Sequence, residues 1–451
     1  MAEKIEHIGK KEIAWSYIGT VFMIGAGVIL LPFILNKMPQ ETVGIWNIFQ
    51  TITALVLLLD FGFRPTFARN ISYIFSGVRT LQRDGVQQTT EDAEVDYSLL
   101  KGTLLAMRRF YRWMAFIVFA LLATAGTAYF YYILQKYSGD KQDAMIAWVL
   151  LIAINCYNLY TFYYDALLTG KGYVTRTQQI NMLGQLVYIT LAIALIYAGF
   201  GLTAIVSSQL AATILRRVLT YRVFFTPQMK SRLAAAQVQE PKDILRAISP
   251  NAVKVGLTYL GAFLINKSAV LIGSAYLTLN EIASYGITMQ VMDVLARCSM
   301  VMYIAYTPRL AQCRAARDLQ QLRKYYIWCT LSFMAIFAAG GIVWIFGGDY
   351  VLSLIGSRTA FLPTDLLLLA LVVAFLEHNH AQSAGFIMAD NRIPFFIPSL
   401  ASGAATLILL WLFLGPLHLG VLGLILAPGC AQLAYQNWKW PSVVIKELRN
   451  A

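Results

Sequence analysis

Charge is what this sequence has least of. Only 13% of its 451 residues are charged, while 58% are hydrophobic. A soluble chain usually carries about 25% charged residues, so a soluble globular domain is a poor fit. Disorder is excluded, because it requires low hydrophobicity. Cysteine is scarce as well: there are 5, an odd number, with no CxxC pair. That argues against a disulfide framework and against a zinc site. Neither GxGxxG nor GxxxxGK[ST] occurs, so nothing points to nucleotide hydrolysis by the chain itself. No Ser-His-Asp or paired-carboxylate arrangement stands out, and no polar segment is long enough to be an enzyme domain. The chain is therefore not expected to be an enzyme, and no resident metal or cofactor is expected.

What is present is a series of long apolar stretches. A bilayer core needs about 20 mostly apolar residues per helix. Twelve stretches qualify, at roughly 12–35, 42–63, 109–134, 144–168, 178–198, 200–221, 249–273, 282–306, 324–347, 362–388, 393–414 and 417–438. The first follows a charged N-terminal segment and is too long for a signal-peptide core, so it reads as a retained helix. Counted by side, 31 of the 36 Lys and Arg fall with the two termini, and 5 fall on the other side. The positive-inside rule then puts both termini in the cytoplasm. The net charge of +13 is largely this asymmetry, which also suits an anionic inner leaflet. Membrane lipids are expected partners and nucleic acid is not.

The connector at 222–248 separates two sets of six spans, giving domains 1–230 and 231–451. A faint repeat supports this at an offset of 240: Gln40-Glu41-Thr42-Val43 aligns with Asn280-Glu281-Ile282-Ala283, Gln50 with Gln290, and Arg69 with Arg309. Each aligned span ends in a Pro near a basic residue, Pro65 with Arg69 and Pro308 with Arg309. Parallel repeats are a common way to build transporters with a midplane site.

Polar residues inside spans are costly in lipid and so face a bundle interior or water. Asn155, Asn158, Thr161 and Asp165 have the spacing of one helical face, with Tyr157, Tyr160 and Tyr164 beside them. Gln178, Asn181, Gln185 and Tyr188 do the same in span five, and Gln290, Asp293 and Arg297 in span eight. A hydrated cavity and interhelical hydrogen-bond glue both fit these stripes. Asp60 with Arg64, and Asp293 with Arg297, are four apart. Each pair either neutralises itself along a helix or turns its Arg to an anionic ligand, which a guanidinium fork fits bidentately. Lys267 has no obvious local acidic partner; it snorkels to the interface or faces the cavity. Glu377-His378-Asn379-His380 interrupts span ten. It reads as a proton relay, since His titrates near neutrality, or as a polar packing contact.

Several segments resemble one family. Leu57 to Ser72, LLLDFGFRPTFARNIS, resembles the end of the second helix in polysaccharide-type flippases of the multidrug/oligosaccharidyl-lipid/polysaccharide exporter superfamily. Asp60, Gly62 and Arg69 fill its acidic, glycine and arginine places. Ala166 to Gln185 and Gly385 to Leu400 resemble that family's hairpins after helices four and ten, and Asn280 to Gln290 resembles the start of helix eight. The resemblance implies an all-α integral membrane fold: about 12 transmembrane helices in two six-helix bundles related by a pseudo-twofold axis along the membrane normal. It implies an inner-membrane flippase, multi-pass, that moves undecaprenyl-diphosphate-linked oligosaccharide repeat units to the outer leaflet by alternating access. Other glycan-assembly membrane proteins are then candidate partners. Arg64, Arg69, Lys267 and Arg297 are candidates for the diphosphate, with Asn158, Tyr160, Asp165 and Gln185 toward the sugars. Asp60, Asp293, Glu377 and His378 are candidate carriers of a coupling H+ or Na+. Span one has no Arg in its apolar core, which counts against the lipid II branch of the family. An ion-coupled small-molecule antiporter of the same superfamily is the alternative reading, and an integral-membrane glycan polymerase a more distant one.

Overall fold

In a computed structural model, residues 29–80, 94–238, 241–304, 318–388 and 394–449 are described, with residues 15, 19, 22, 25, 306 and 310. Among them every regular element is a helix. In chain order these are α1 (Gln40–Leu58), α2 (Phe63–Phe75), α3 (Tyr97–Leu121), a π segment (Leu122–Gly126), α4 (Thr127–Gln135), α5 (Lys141–Tyr160), α6 (Tyr163–Gly170), α7 (Val174–Tyr197), α8 (Leu202–Phe224) and α9 (Pro227–Ala235). Then follow α10 (Pro241–Asn266), α11 (Ser268–Tyr276), α12 (Leu279–Ser299), α13 (Leu319–Leu354), α14 (Thr364–Met388), α15 (Phe396–Leu414), α16 (Val421–Leu433) and α17 (Gln436–Arg449). The fold is the expected all-α membrane class. Among the described residues, eight helices are long and apolar enough to cross a membrane, or nine if the bent pair Gly256–Asn266 and Ser268–Tyr276 counts as one span. α12 is not among them, because it carries Glu281, Asp293 and Arg297. Most of the first expected span, Pro308, Arg309 and part of the 385–400 hairpin lie outside the described residues.

Helix starts are fixed by side chains that take otherwise unpaired amides. Asp96 accepts from Ser98 and Leu99 at the start of α3, and Asp140 from Gln142 and Asp143 at α5. Thr278 and Glu281 form a reciprocal capping box on α12. α8 begins at Gly201, which has no side chain to offer. Its cap comes instead from α5, where the Asp143 carboxylate accepts from Leu202 at 2.7 Å and Thr203 at 3.3 Å. One carboxylate thus ties span four to span six.

The chain forms two compact units, Met1–Lys37 with Ile52–Tyr259 and Met38–Thr51 with Leu260–Ala451. The divisions fall inside α1 and α10. In the first unit α2 packs on α6, and α8 on α7 and α5. Gly170 permits the α2–α6 approach: a Cβ there would lie 2.5 Å from the Ala68 carbonyl oxygen. In the second unit α15 packs on α16, and α14 on α17. The first half of α1 meets α12 there. Gln40 donates to the Asn280 carbonyl at 3.1 Å, and Gln290 to Asn47 Oδ1 at 2.7 Å. The helix starts aligned by the 240-residue offset therefore touch each other. Gln290 and Asn47 act as interhelical glue.

Candidate functional site

Among the described residues, three interruptions between consecutive helices carry charge. Irregular backbone at membrane depth persists only where protein or water satisfies it. The first break is Leu59–Gly62, between α1 and α2. Phe61 has φ 45° and Gly62 φ 70°, so the chain turns through two consecutive left-handed residues. Asp60, 6% exposed, holds the turn. Both its carboxylate oxygens lie 3.1 Å from the Arg64 amide, and Tyr111 of α3 donates its hydroxyl at 2.5 Å. Of the two readings offered for Asp60 and Arg64, the side-chain pair is not the contact seen: Asp60 takes the Arg64 amide instead. Asp60 precedes α2, so its carboxylate caps the helix, and the Arg64 guanidinium lies 5.1 Å from the Phe162 ring centroid instead.

Phe162 sits in the second break, Thr161–Phe162, between α5 and α6. This break interrupts the face on which Asn155 to Asp165 were expected to align. Asn155 is buried and donates to the Leu151 carbonyl and to Thr53, while the Thr161 hydroxyl donates to the Tyr157 carbonyl. Asn158 and Tyr160 are half-buried. Asp165, just past the break, meets Arg217 of α8 at 2.6 Å. The Arg217 side chain is 9% exposed and the Asp165 side chain 34%. Arg217 also lies 5.8 Å from the Phe162 centroid, so that ring carries two guanidiniums. Arg108 of α3 lies 5.7 Å from the next ring, Tyr163. Arg216 packs its stem against Gly184 of α7 and is within electrostatic range of Asp165. Three guanidiniums, of Arg64, Arg108 and Arg217, therefore lie against rings at the start of α6, with Arg216 within electrostatic range of Asp165; the carboxylates there are Asp60 and Asp165.

The third break is Lys267, where α10 and α11 meet at 40°. Its ammonium lies 2.8 Å from Asp293 of α12. Lys267 has no acidic partner on its own helix; its partner lies on α12. The same contact replaces the expected Asp293–Arg297 pair; Arg297 is exposed in the last turn of α12. Lys267, Asp293, Asn266, Tyr285, Glu377 and His378 line a cavity of about 80 Å³. Glu377 accepts from Gln432 of α16 and stands 3.5 Å from Asn266. Behind it runs a ladder: Trp440 donates to Gln436 at 3.2 Å, and Gln436 to Gln432 at 2.8 Å. The histidines beside Glu377 turn elsewhere. His378 meets the Ala374 carbonyl and His380 meets Asn437, each at 2.8 Å. The Glu–His relay is thus not assembled as a direct contact. The helix turns each side chain toward a different neighbour.

Arg69 is exposed on α2 and Gln185 is half-buried on α7, away from the contacts above. Among the described residues no His, Cys, Asp or Glu group could hold a metal. The residues missed by sequence reasoning are Arg108, Tyr111, Phe162, Arg216, Arg217 and Gln432. Lys171 also belongs here, fully buried within 6 Å of the Phe75, Tyr173 and Phe224 rings. Arg108, Arg216 and Arg217 had been absorbed into the cytoplasmic charge count. Their signal was available, since two adjacent arginines fall within a span-length helix.

No protein-family model matches the sequence, and no curated sequence relative matches it. Solved structures match over nearly the whole chain. One is an inward-facing multidrug resistance MATE family transporter of the MOP superfamily, with TM-score 0.66, 16% identity and 96% of each chain covered. A second is a MATE protein in a bent conformation, with TM-score 0.53, 15% identity, and 98% of this chain and 97% of that one covered. A third is a MOP superfamily transporter from Pyrococcus furiosus, described as having a binding pocket of reversed polarity. Its TM-score is 0.50 and its identity 15%, over 97% of this chain and 95% of that one. The fold is the one these transporters share.

Proposed function

We propose that this protein is a secondary membrane transporter, an exchanger of the MOP superfamily that works by alternating access and is coupled to H+ or Na+. The carrying observation is the charge set around Lys267. One ammonium faces two carboxylates, Asp293 and Glu377, across a small cavity at a broken span. Discontinuous helices are where transporters place substrate and ion sites. The acidic excess suits a cationic coupling ion, and Lys267 supplies a tethered cation that the ion would displace from Asp293. Such a swap biases a conformational equilibrium only if the ion binds the two states unequally. The matching folds of multidrug resistance transporters support this reading.

A second reading is favoured by the opposite balance in the first unit. Three guanidiniums against two carboxylates suit an anionic cargo, as expected for a polyprenyl-diphosphate-linked oligosaccharide flippase. One experiment addresses both. Purified protein in proteoliposomes is given a pH or Na+ gradient, and release of the gradient is followed on adding cationic dyes or a prenyl-diphosphate oligosaccharide. Exchange driven by dyes supports the antiporter, and exchange driven by the lipid-linked glycan supports the flippase. Gradient decay unaffected by either cargo, or by Asp293→Asn, would refute the coupled mechanism.

A further inference from the structure

The two sides of α17 differ in chemistry. Its inner side, with Gln436, Asn437, Trp440, Val444 and Leu448, is buried. There Trp440 and Val444 join Tyr326 of α13 and Phe386 of α14 in one apolar cluster, and Asn437 meets buried His380 at 2.8 Å. The outer side runs in two rows, spaced by one or two turns so that each keeps to one face. Trp438, Ile445 and Arg449 form one row, all exposed; half-buried Lys439 and exposed Lys446 form the other. Contacts build the start of this side: the Tyr435 ring lies 5.6 Å from Trp438 and 5.9 Å from the Lys439 ammonium. Glu447, the one acidic residue of α17, is half-buried. The outer side is therefore basic and aromatic.

Trp440 fixes how deep this helix sits. Its ring lies 5.9 Å from Phe395, which caps α15, and it clusters with Phe386 and Ile387 in the last turn of α14. Both α14 and α15 are long and apolar enough to cross a membrane, so Trp440 stands level with the ends of two spans. Tyr435 and Trp438 fall on the bilayer side of that level, where aromatic rings settle among headgroups. Lys439 stands at it, and Lys446 follows about 9 Å farther along the axis. The headgroup layer is about 5–7 Å deep on each side, and a lysine stem spans the difference.

We propose that the outer side of α17 is a binding surface for anionic phospholipid headgroups. Charge complementarity names the occupant: Lys439, Lys446 and Arg449 meet the lipid phosphates, while Tyr435 and Trp438 seat at the acyl boundary. The inner side of the same helix carries Gln436, which donates to Gln432, the donor to Glu377. A lipid that holds α17 in place thus also holds the far end of that ladder. The surface stands whatever the protein carries.

The test uses the full-length protein in phosphatidylcholine nanodiscs with a small share of brominated phosphatidylglycerol or, in parallel, brominated phosphatidylcholine. Bromine quenches tryptophan on contact, and the part of the quenching lost in Trp438→Phe belongs to Trp438. At equal share, phosphatidylglycerol is expected to quench Trp438 more than phosphatidylcholine. Lys439→Gln and Lys446→Gln are each expected to raise about fivefold the phosphatidylglycerol share that gives half of the quenching, the weight of one basic residue near an anionic surface. The double variant is expected to bring the two lipids level. Lys446→Arg keeps the charge and is expected to match the wild type, as is Arg358→Gln, beyond the far end of α13. Equal quenching by the two lipids in the wild type overturns the proposal, as does a double variant that keeps the wild-type preference. If a soluble acidic peptide, and not phosphatidylglycerol, shifts Trp438 emission, the face takes an acidic protein segment and the proposal falls. Loss of transport in every assay would defeat the transporter reading and leave this surface standing.

Discussion

The Asp165–Arg217 pair offers a prediction whose size follows from burial. Arg217 is 9% exposed along its side chain, Asp165 34%, and they meet at 2.6 Å. Removing one partner of a buried pair is costly because the other charge stays in low dielectric; about 3–5 kcal/mol is usual. The two ends are unequal here. Asp165→Asn leaves a buried guanidinium without a counter-charge, and the lower end applies because the amide oxygen still accepts a bond: about 3 kcal/mol. Arg217→Met leaves a carboxylate that water can reach, so about 1–2 kcal/mol is lost. Replacing both partners removes the stranded charge, and the double variant is expected near the milder single variant. For a unit of this size, 1 kcal/mol moves Tm by roughly 2–4 °C. Thermal melts in detergent should then place Asp165→Asn roughly 6–12 °C below wild type, with the double variant above it. The ordering is the test, since the melts need not be reversible. A double variant less stable than Asp165→Asn would refute the reasoning.

Further outcomes concern the other breaks. Asp60→Ala should speed hydrogen exchange at the Arg64 amide and cost about 1–2 kcal/mol as a lost cap, whereas Tyr111→Phe should cost about 1 kcal/mol; equal exchange in Asp60→Ala and wild type would count against the cap. Gly256→Val should destabilise by about 1–3 kcal/mol through overpacking, because a Cβ at Gly256 would sit 2.5 Å from Phe61 Cα and 2.7 Å from its carbonyl carbon. A Gly256→Val melt that matches wild type would contradict it. Trp440→Phe removes a donor from buried Gln436 and should lower stability by about 1–3 kcal/mol, measured by the same melts, while Gln432→Leu should reduce gradient-driven exchange because Glu377 loses its amide donor.

Much of the helical framework was legible because membranes demand it. Apolar runs of span length have few alternatives to a helix, and Asp96, Asp140 and the Thr278–Glu281 box mark helix starts with ordinary capping chemistry. Gln40 and Asn280, aligned by the 240-residue offset, are joined by a hydrogen bond between the two helix starts. The sites were harder to read. Arg217 finds Asp165 across 52 residues, and Lys267 finds Asp293 across 26. No helical periodicity reports such pairs, so a local search offers Arg297 as a partner for Asp293 and none for Asp165. The positive-inside count misled in another way. It treats every basic residue near a span end as a surface anchor, yet Arg217 is buried inside α8.

The breaks themselves explain why charge collects there. At Phe61–Gly62 the backbone turns left-handed, and at Thr161–Phe162 and Lys267 a helix stops and restarts. Each interruption leaves amides and carbonyls that lipid cannot satisfy. Asp60 answers one such need directly by accepting from the Arg64 amide. Once a carboxylate is present to do so, it needs its own donor, and Tyr111 supplies that. Lys267 reverses the order, because its ammonium brings the need for Asp293. In both units the groups found at an interrupted helix are charged ones. A substitution that mends a break while keeping the nearby charges would therefore separate the interruption from the charge. Phe61→Gly should ease the left-handed turn and stabilise, since a bulky residue at positive φ is strained by about 1–3 kcal/mol. If Phe61→Gly raises stability without changing exchange, the turn is scaffolding for Asp60. If exchange falls as stability rises, the strain itself belongs to the transport cycle.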